Sequence, residues 1–279
     1  MVCHEFLDAL RAAGLAMHCP ADLVADGQLH RYRVEGDKAG SKNGWIVLDL
    51  AQPSHGAFGS WKTGQSNTWR PEAQKSLSEA EREVLALRVE SARAARLAEQ
   101  ERVHAHARQR ATKLWERAKP AFGSHDYLAR KGVAAYGVRD LRGQLVIPLR
   151  DASGVLHSLQ FIAADGRKTF LTGGRKRGCY CGIGKPGRAL AICEGYATGA
   201  TIHQVTGLAV AVAFDAGNLV SVARALREKF PQLPVVIAAD NDTETPGNPG
   251  VTHAKHAARE IGAALAVPQF TKDDNDCPF

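Results

Sequence analysis

The sequence predicts an α/β fold. A parallel sheet flanked by helices follows a strand-rich part, a long helical connector and a small antiparallel β module at the N-terminal end. Two observations point to the parallel sheet. Between Leu190 and Asp242, the apolar runs 190–193, 209–214 and 235–239 alternate with helical segments, the order that helical crossovers impose on parallel strands. The first and third runs end in carboxylates, Glu194 and the pair Asp240 and Asp242. Ligands of such sheets bind beyond the carboxyl ends of the strands, so these three acids can converge on one crevice. Clustered carboxylates with no basic partner are costly unless a hard cation holds them, and Mg²⁺ is the usual one.

Composition narrows the class. A chain of 279 residues suits two or three modules. No apolar run reaches the ~20 residues of a membrane span, and the start MVCHEFLDALRAAG reads as an amphipathic helix, not a signal peptide. A cytoplasmic protein with no membrane partner is expected. The net charge of +7 suits an anionic partner, nucleic acid before membrane. The six cysteines, at 3, 19, 179, 181, 193 and 277, include no CxxC pair. Cys3-His4 and His18-Cys19 are neighbours of a kind that rarely chelates one tetrahedral ion, so reduced thiols are expected and zinc is not.

Taken in order, residues 4–17 carry an apolar face of Phe6, Leu7, Leu10, Ala13 and Leu15 and predict a helix. From 28 to 70, short alternating runs and glycine turns predict an antiparallel sheet, the core of a module over 1–72. Arg31, Lys42 and the neighbouring basic residues interleave there with Tyr32, Trp45, Trp61 and Trp69. Basic groups beside aromatic faces suit single-stranded nucleic acid, one for phosphates and the other for stacking. The tryptophans read equally well as the core of a small sheet. Ser78-Glu79-Ala80-Glu81 is a capping box that opens a charged helix reaching about Lys119, read as a solvated connector over 73–119. Over 120–188, the runs 144–150 and 156–162, joined by Asp151-Ala152-Ser153-Gly154, predict a hairpin. The basic, glycine-rich run after it holds Lys168, Lys176, Arg177 and Lys185, which suit phosphates, with solvated loops as the plainer reading. Residues 189–279 complete the parallel-sheet domain.

Glu194-Gly195 after one buried strand and Asp240-x-Asp242 after another, about 45 residues apart, resemble the TOPRIM signature. The wider sequence resembles the TOPRIM DNA primases of plasmids and phages, the TraC-like group. The matching stretches are 126–132, 146–149, 159–162, 213–219 and 272–276. The resemblance implies a primase that joins ribonucleoside triphosphates into short RNA primers on a single-stranded DNA template with Mg²⁺ or Mn²⁺, in plasmid, phage or mobile-element replication. A replicative helicase or another replication protein is the partner it implies. It makes Glu194 a metal ligand or general base, Asp240 and Asp242 metal ligands, and Lys272 and Asp276 secondary nucleotide or metal contacts. Glu194 as a simple helix cap is the alternative for that residue. Two departures stand out. The helix after Glu194 lacks a further acidic residue, and the loop after Asp242 is longer than the usual form. Primases of this group often continue past the equivalent of Phe279, which leaves open that the chain is a fragment. A TOPRIM metal-dependent nuclease and a non-catalytic DNA-binding accessory protein are the competing functions.

Overall fold

The computed structural model describes residues 2–60, 63, 65–71, 78–241, 245 and 247–269. They fall into two units, Met1–Ala98 and Glu99–Phe279.

In the first unit, helix α1 (Val2–Ala12) turns Phe6 and Leu10 inward, both fully buried. They meet a four-stranded antiparallel sheet of β1 (His30–Tyr32), β2 (Gly44–Asp49), β3 (His55–Ser60) and β4 (Ser66–Trp69), ordered as in the chain. The period of two is plain in β2, where Ile46 and Leu48 are buried and Trp45 and Val47 half-buried. The Phe6 ring packs edge-on against Phe58 and Trp69, with centroids 5.6 and 5.1 Å away. The helix ends earlier than the sequence predicts. Gly14 takes a left-handed conformation (φ 71°), and the Leu15 N–H turns back to the Leu10 carbonyl. Leu15 still faces the core, from outside the helix.

Helix α2 (Glu79–Arg117) opens on the expected capping box. The Glu81 carboxylate accepts from the Ser78 N–H and hydroxyl at 2.9 and 2.7 Å, and the Glu81 N–H donates to Ser78 Oγ at 3.3 Å. The sequence reads α2 as solvated. Its last turns are not, because Ala107 and Ala111 are buried and Ala111 packs with Val146, Leu159 and Leu171. Alanines contribute little to an apolar pattern, yet they let a helix lie close to a sheet.

The second unit holds two sheets. The antiparallel one runs β5 (Lys119–Pro120), β6 (Arg139–Leu141), β7 (Gln144–Arg150), β8 (Leu156–Ile162), β9 (Lys168–Phe170), with α3 (Asp126–Arg130) between β5 and β6. The predicted hairpin is β7–β8, in register from Leu145 opposite Ile162. The other sheet is built from β10 (Cys181–Ile183), β11 (Leu190–Cys193), β12 (Ala209–Val212), β13 (Val235–Ala238) and β14 (Ala264–Ala266), in the order β10-β12-β11-β13-β14. Strands β11 to β14 are parallel. Beside the predicted parallel strands, β10 runs antiparallel on the edge of β12, Cys181 opposite Val212. Helix α4 (Tyr196–Thr206) covers one face of this sheet, where Tyr196 and Ala200 share a core with Leu145, Ile147 and Ile162 of the first sheet. Helices α5 (Leu219–Lys229) and α6 (Pro249–Ile261) cover the other through Val222, Leu226, Ala254 and Ala257. Strands covered on both faces need an apolar residue at every position, which is why β11 and β12 read as unbroken apolar runs. Among the described residues no helix is long and apolar enough to cross a membrane.

Candidate active site

Strands β11 and β13 are hydrogen-bonded neighbours, with Ile192 opposite Ile237. Glu194 follows β11 and Asp240 follows β13 by two residues, so both leave the same, carboxyl end of the sheet. Strand β12 ends there too, and the Phe214 N–H donates to the Glu194 carbonyl at 2.8 Å, which ties the two strand ends together. Asp215 comes next. One of its oxygens accepts from the Asn218 N–H at 3.0 Å, and the other pairs with the Lys176 ammonium.

Glu194 therefore feels the charge of both other carboxylates. Glu194 is pushed up to about 7, first by burial, then by the negative charges of Asp240 and Asp215, with the Ala216 N–H pulling the other way. Asp240 is raised by burial, and the Lys168 charge opposes the rise. Glu194 Oε1 is buried and has no hydrogen-bond partner. Gly250, in the first turn of α6, approaches so closely that a Cβ there would sit 2.4 Å from the Asp240 carbonyl oxygen and 3.3 Å from Glu194 Oε1. Only glycine lets this helix start against the two acids. The start of α6 is capped by Asn248, which donates to Asn241 Oδ1 at 2.7 Å and accepts from the Val251 N–H at 3.4 Å.

An orphaned carboxylate oxygen beside a second, half-buried acid is a donor set of hard oxygens, which fits Mg²⁺ or Mn²⁺. Among the described residues no three His, Cys, Asp or Glu side chains are grouped closely enough to hold an ion unaided. Asp242 lies outside the described residues, as do Asp276, Lys272 and Trp61.

The predicted basic residues separate by position. Lys168 and Lys176 stand with the acids, through Asp240 and Asp215 respectively. Arg177 is exposed and its Nε lies 3.3 Å from Ser221 Oγ on α5. Lys185 is not with them. It lies in the connection from β10 to β11, and because β10 runs antiparallel this connection is at the opposite end of the sheet. In the first unit, Arg31 and Lys42 are both exposed and adjacent, the Arg31 Nε donating to the Lys42 carbonyl at 2.9 Å. Tyr32 is buried with its hydroxyl on the Leu15 carbonyl, and Trp69 leans on Phe6, so these two aromatics serve the core. A cavity of about 860 Å³ in the same unit is lined by Glu5, His55, Trp69 and Arg88 among others, but by neither Arg31 nor Lys42.

Sequence reasoning missed Asp215 and Asn218 as site residues, although both lie in a stretch that carried the resemblance. Asn218 is buried. Its amide nitrogen donates to the carbonyls of Lys176, Cys179 and Ala213 at 3.2, 3.0 and 2.9 Å, and its oxygen accepts from the Gly178 N–H at 2.8 Å. The loop that carries Lys176 is thereby pinned beside Asp215.

The raised Glu194 carboxyl has a measurable consequence. In the unfolded chain this group ionises near its ordinary value, but in the metal-free fold it holds its proton to about pH 7. Its contribution to stability is thus complete in acid and is lost as pH rises from about 4.5 to 7. Water screens a half-exposed group, which leaves on the order of 1–2 kcal/mol. In EDTA, Glu194→Gln is expected to be more stable than wild type at pH 8 and equal to it at pH 4.5, by denaturant melts across that range. A difference independent of pH contradicts the raised Glu194 carboxyl.

Comparisons with known proteins bear on the family of the chain. The family described as Toprim domain matches residues 189–278. Two DNA primases named TraC from Escherichia coli are 37% and 36% identical to the chain over 98% of its length. The aligned segment is 27% of the first protein and 20% of the second, so the chain spans about a quarter of the length of these relatives. Among solved structures, the primase fragment of the bacteriophage T7 primase-helicase protein overlaps 58% of this chain and 74% of that one, at 15% identity and a TM-score of 0.40.

Proposed function

From its similarity to the TraC primases and the Toprim domain match at 189–278, we propose that the chain is a TraC-like DNA primase, a nucleotidyltransferase that makes short RNA primers on single-stranded DNA. The observation that carries the reading is the meeting of Glu194 and Asp240 at the carboxyl ends of two adjacent parallel strands, with Lys168 and Lys176 beside them.

Joining two nucleotides brings a 3′-hydroxyl in line with an α-phosphorus and stabilises negative charge on the oxygens around it. A divalent cation, Mg²⁺ or Mn²⁺, supplies much of that charge stabilisation when bound. Glu194 and Asp240 are the described residues that would hold it, with Asp242 as the next acid of the pattern. Lys168 and Lys176 meet the nucleotide phosphates, and α6, seated against both acids at Gly250, keeps water from their buried side. Arg177 extends the basic surface toward α5. Arg31 and Lys42, with Trp61, are the proposed template contacts of the N-terminal module, and Lys272 and Asp276 the proposed contacts of the last acidic motif. The template is single-stranded DNA, the substrates are ribonucleoside triphosphates, and a helicase or another replication protein is the partner class this role implies.

Incubation with single-stranded DNA, labelled ribonucleotides and Mn²⁺ tests the reading. Metal-dependent oligoribonucleotides support it. Cleavage of the DNA without synthesis points to a Toprim nuclease, and tight DNA binding with neither activity points to an accessory role.

A further inference from the structure

Two phenylalanines stand beside the carboxylates, Phe214 packed at the margin of one core and Phe170 outside all of them. Phe170 closes the edge strand β9, whose three residues are all exposed, and its own side remains 38% exposed. It joins none of the hydrophobic clusters of the second unit. Phe214 occupies the left-handed region at φ 74°, between the end of β12 and Asp215. A bulky aromatic residue rarely adopts that conformation, because its Cβ crowds the backbone, and a glycine would adopt it freely. Strain of this kind persists where the surroundings enforce it, and it gathers at functional sites. Here it turns the half-buried Phe214 toward Phe170, with ring centroids 6.0 Å apart at 78°. The same residue's N–H holds the Glu194 carbonyl.

The charges around the pair complete the pattern. Lys176 places its ammonium 5.2 Å from the Phe170 ring centre while it pairs with Asp215. Lys168, two residues before Phe170, acts on Asp240. An exposed aromatic surface with one lysine on the ring and another toward the acids matches the needs of a nucleotide: a face for the base and cations for the phosphates.

We propose that Phe170 and Phe214 form a stacking platform for the base of the ribonucleoside triphosphate whose phosphates lie at Lys168 and Lys176. Stacking is tolerant of base identity, because every base offers a π-face. The platform is a positioning device: it fixes the nucleotide while Glu194 and Asp240 serve the reacting phosphate. It deepens the primase reading, but its test separates the two, since nucleotide binding is read without synthesis.

The experiment is equilibrium dialysis of the full chain with labelled ATP and Mn²⁺, alongside steady-state synthesis on single-stranded DNA. Phe170→Ala is expected to raise Kd and KM by roughly 5- to 150-fold, the range of one lost base stack, with kcat within about twofold. Phe170→Trp is expected to restore both, and Phe170→Leu to restore neither. Phe214→Gly, which relieves the backbone, is expected to stay folded and bind as weakly as Phe170→Ala. Unchanged ATP affinity in Phe170→Ala overturns the proposal, as does rescue by leucine, which would show plain apolar packing. If wild type makes no primer but its ATP binding still depends on Phe170 and is rescued by tryptophan, the primase reading fails and the platform stands.

Discussion

Asp240→Ala is expected to reduce metal-dependent primer synthesis at least about 10³-fold while the protein stays folded. Electrostatic stabilisation by positioned charges and metals is commonly the largest single contribution to catalysis, and one lost donor costs about 10²–10³. Loss of a metal ligand removes the ion's effect as well. The fold tolerates the change because burial of Asp240 raises its carboxyl by more than the Lys168 charge lowers it, so truncation relieves a larger cost than the attraction it loses. The denaturation midpoint should therefore hold or rise, measured in EDTA. Asp240→Asn, which keeps the shape and removes the charge, should be nearly as inactive. If either variant keeps a tenth or more of wild-type synthesis, Asp240 is not at the reacting centre.

Asn218→Ala is expected to cost about 3–4 kcal/mol of stability and most of the activity. The amide has two hydrogens and serves three carbonyls, those of Lys176, Cys179 and Ala213, so one hydrogen is shared. Its oxygen holds the Gly178 N–H. Truncation leaves these backbone groups without partners where water has little access, at about 1–3 kcal/mol each before relaxation. The loop at 176–179 then loosens, and Lys176 with it. Asn218→Asp is no rescue, because it keeps the acceptor for Gly178 but sets a carboxylate against three carbonyls. Guanidinium melts and synthesis assays on the same preparations check both effects. A loss below about 1 kcal/mol would show that the clasp is solvated and dispensable.

The parts of this protein that could be read from its sequence share a physical property: their signal is local. Strands β11, β12 and the start of β13 are continuous apolar runs because both sheet faces are covered. The Ser78–Glu81 capping box is a four-residue pattern whose hydrogen bonds form as written. Glu194 and Asp240 stand out because an acid directly after a buried strand is unusual. What escaped depends on distant partners. Strand β10 is three residues, Cys181–Ile183, among glycines and basic residues, and only its pairing with β12 makes it a strand. Asp215 looks like a turn residue until Lys176, 39 positions earlier, is seen beside it. Asn218 is an unremarkable polar residue whose four contacts span 5 to 42 positions of sequence. The burial of Ala107 and Ala111 likewise depends on the sheet beneath them, not on any pattern along α2.

The antiparallel strand β10 also governs how this chain can be cut. A fragment that begins at residue 189 has every strand of the parallel set, yet it leaves β12, Ala-Val-Ala-Val, as a bare edge whose residues are all buried in the intact protein. Unprotected apolar edges recruit further strands and aggregate. It would also uncover the face of α4 that shares its core with Leu145, Ile147 and Ile162. A soluble catalytic fragment therefore has to start upstream of Lys119, where the first strand of the antiparallel sheet begins.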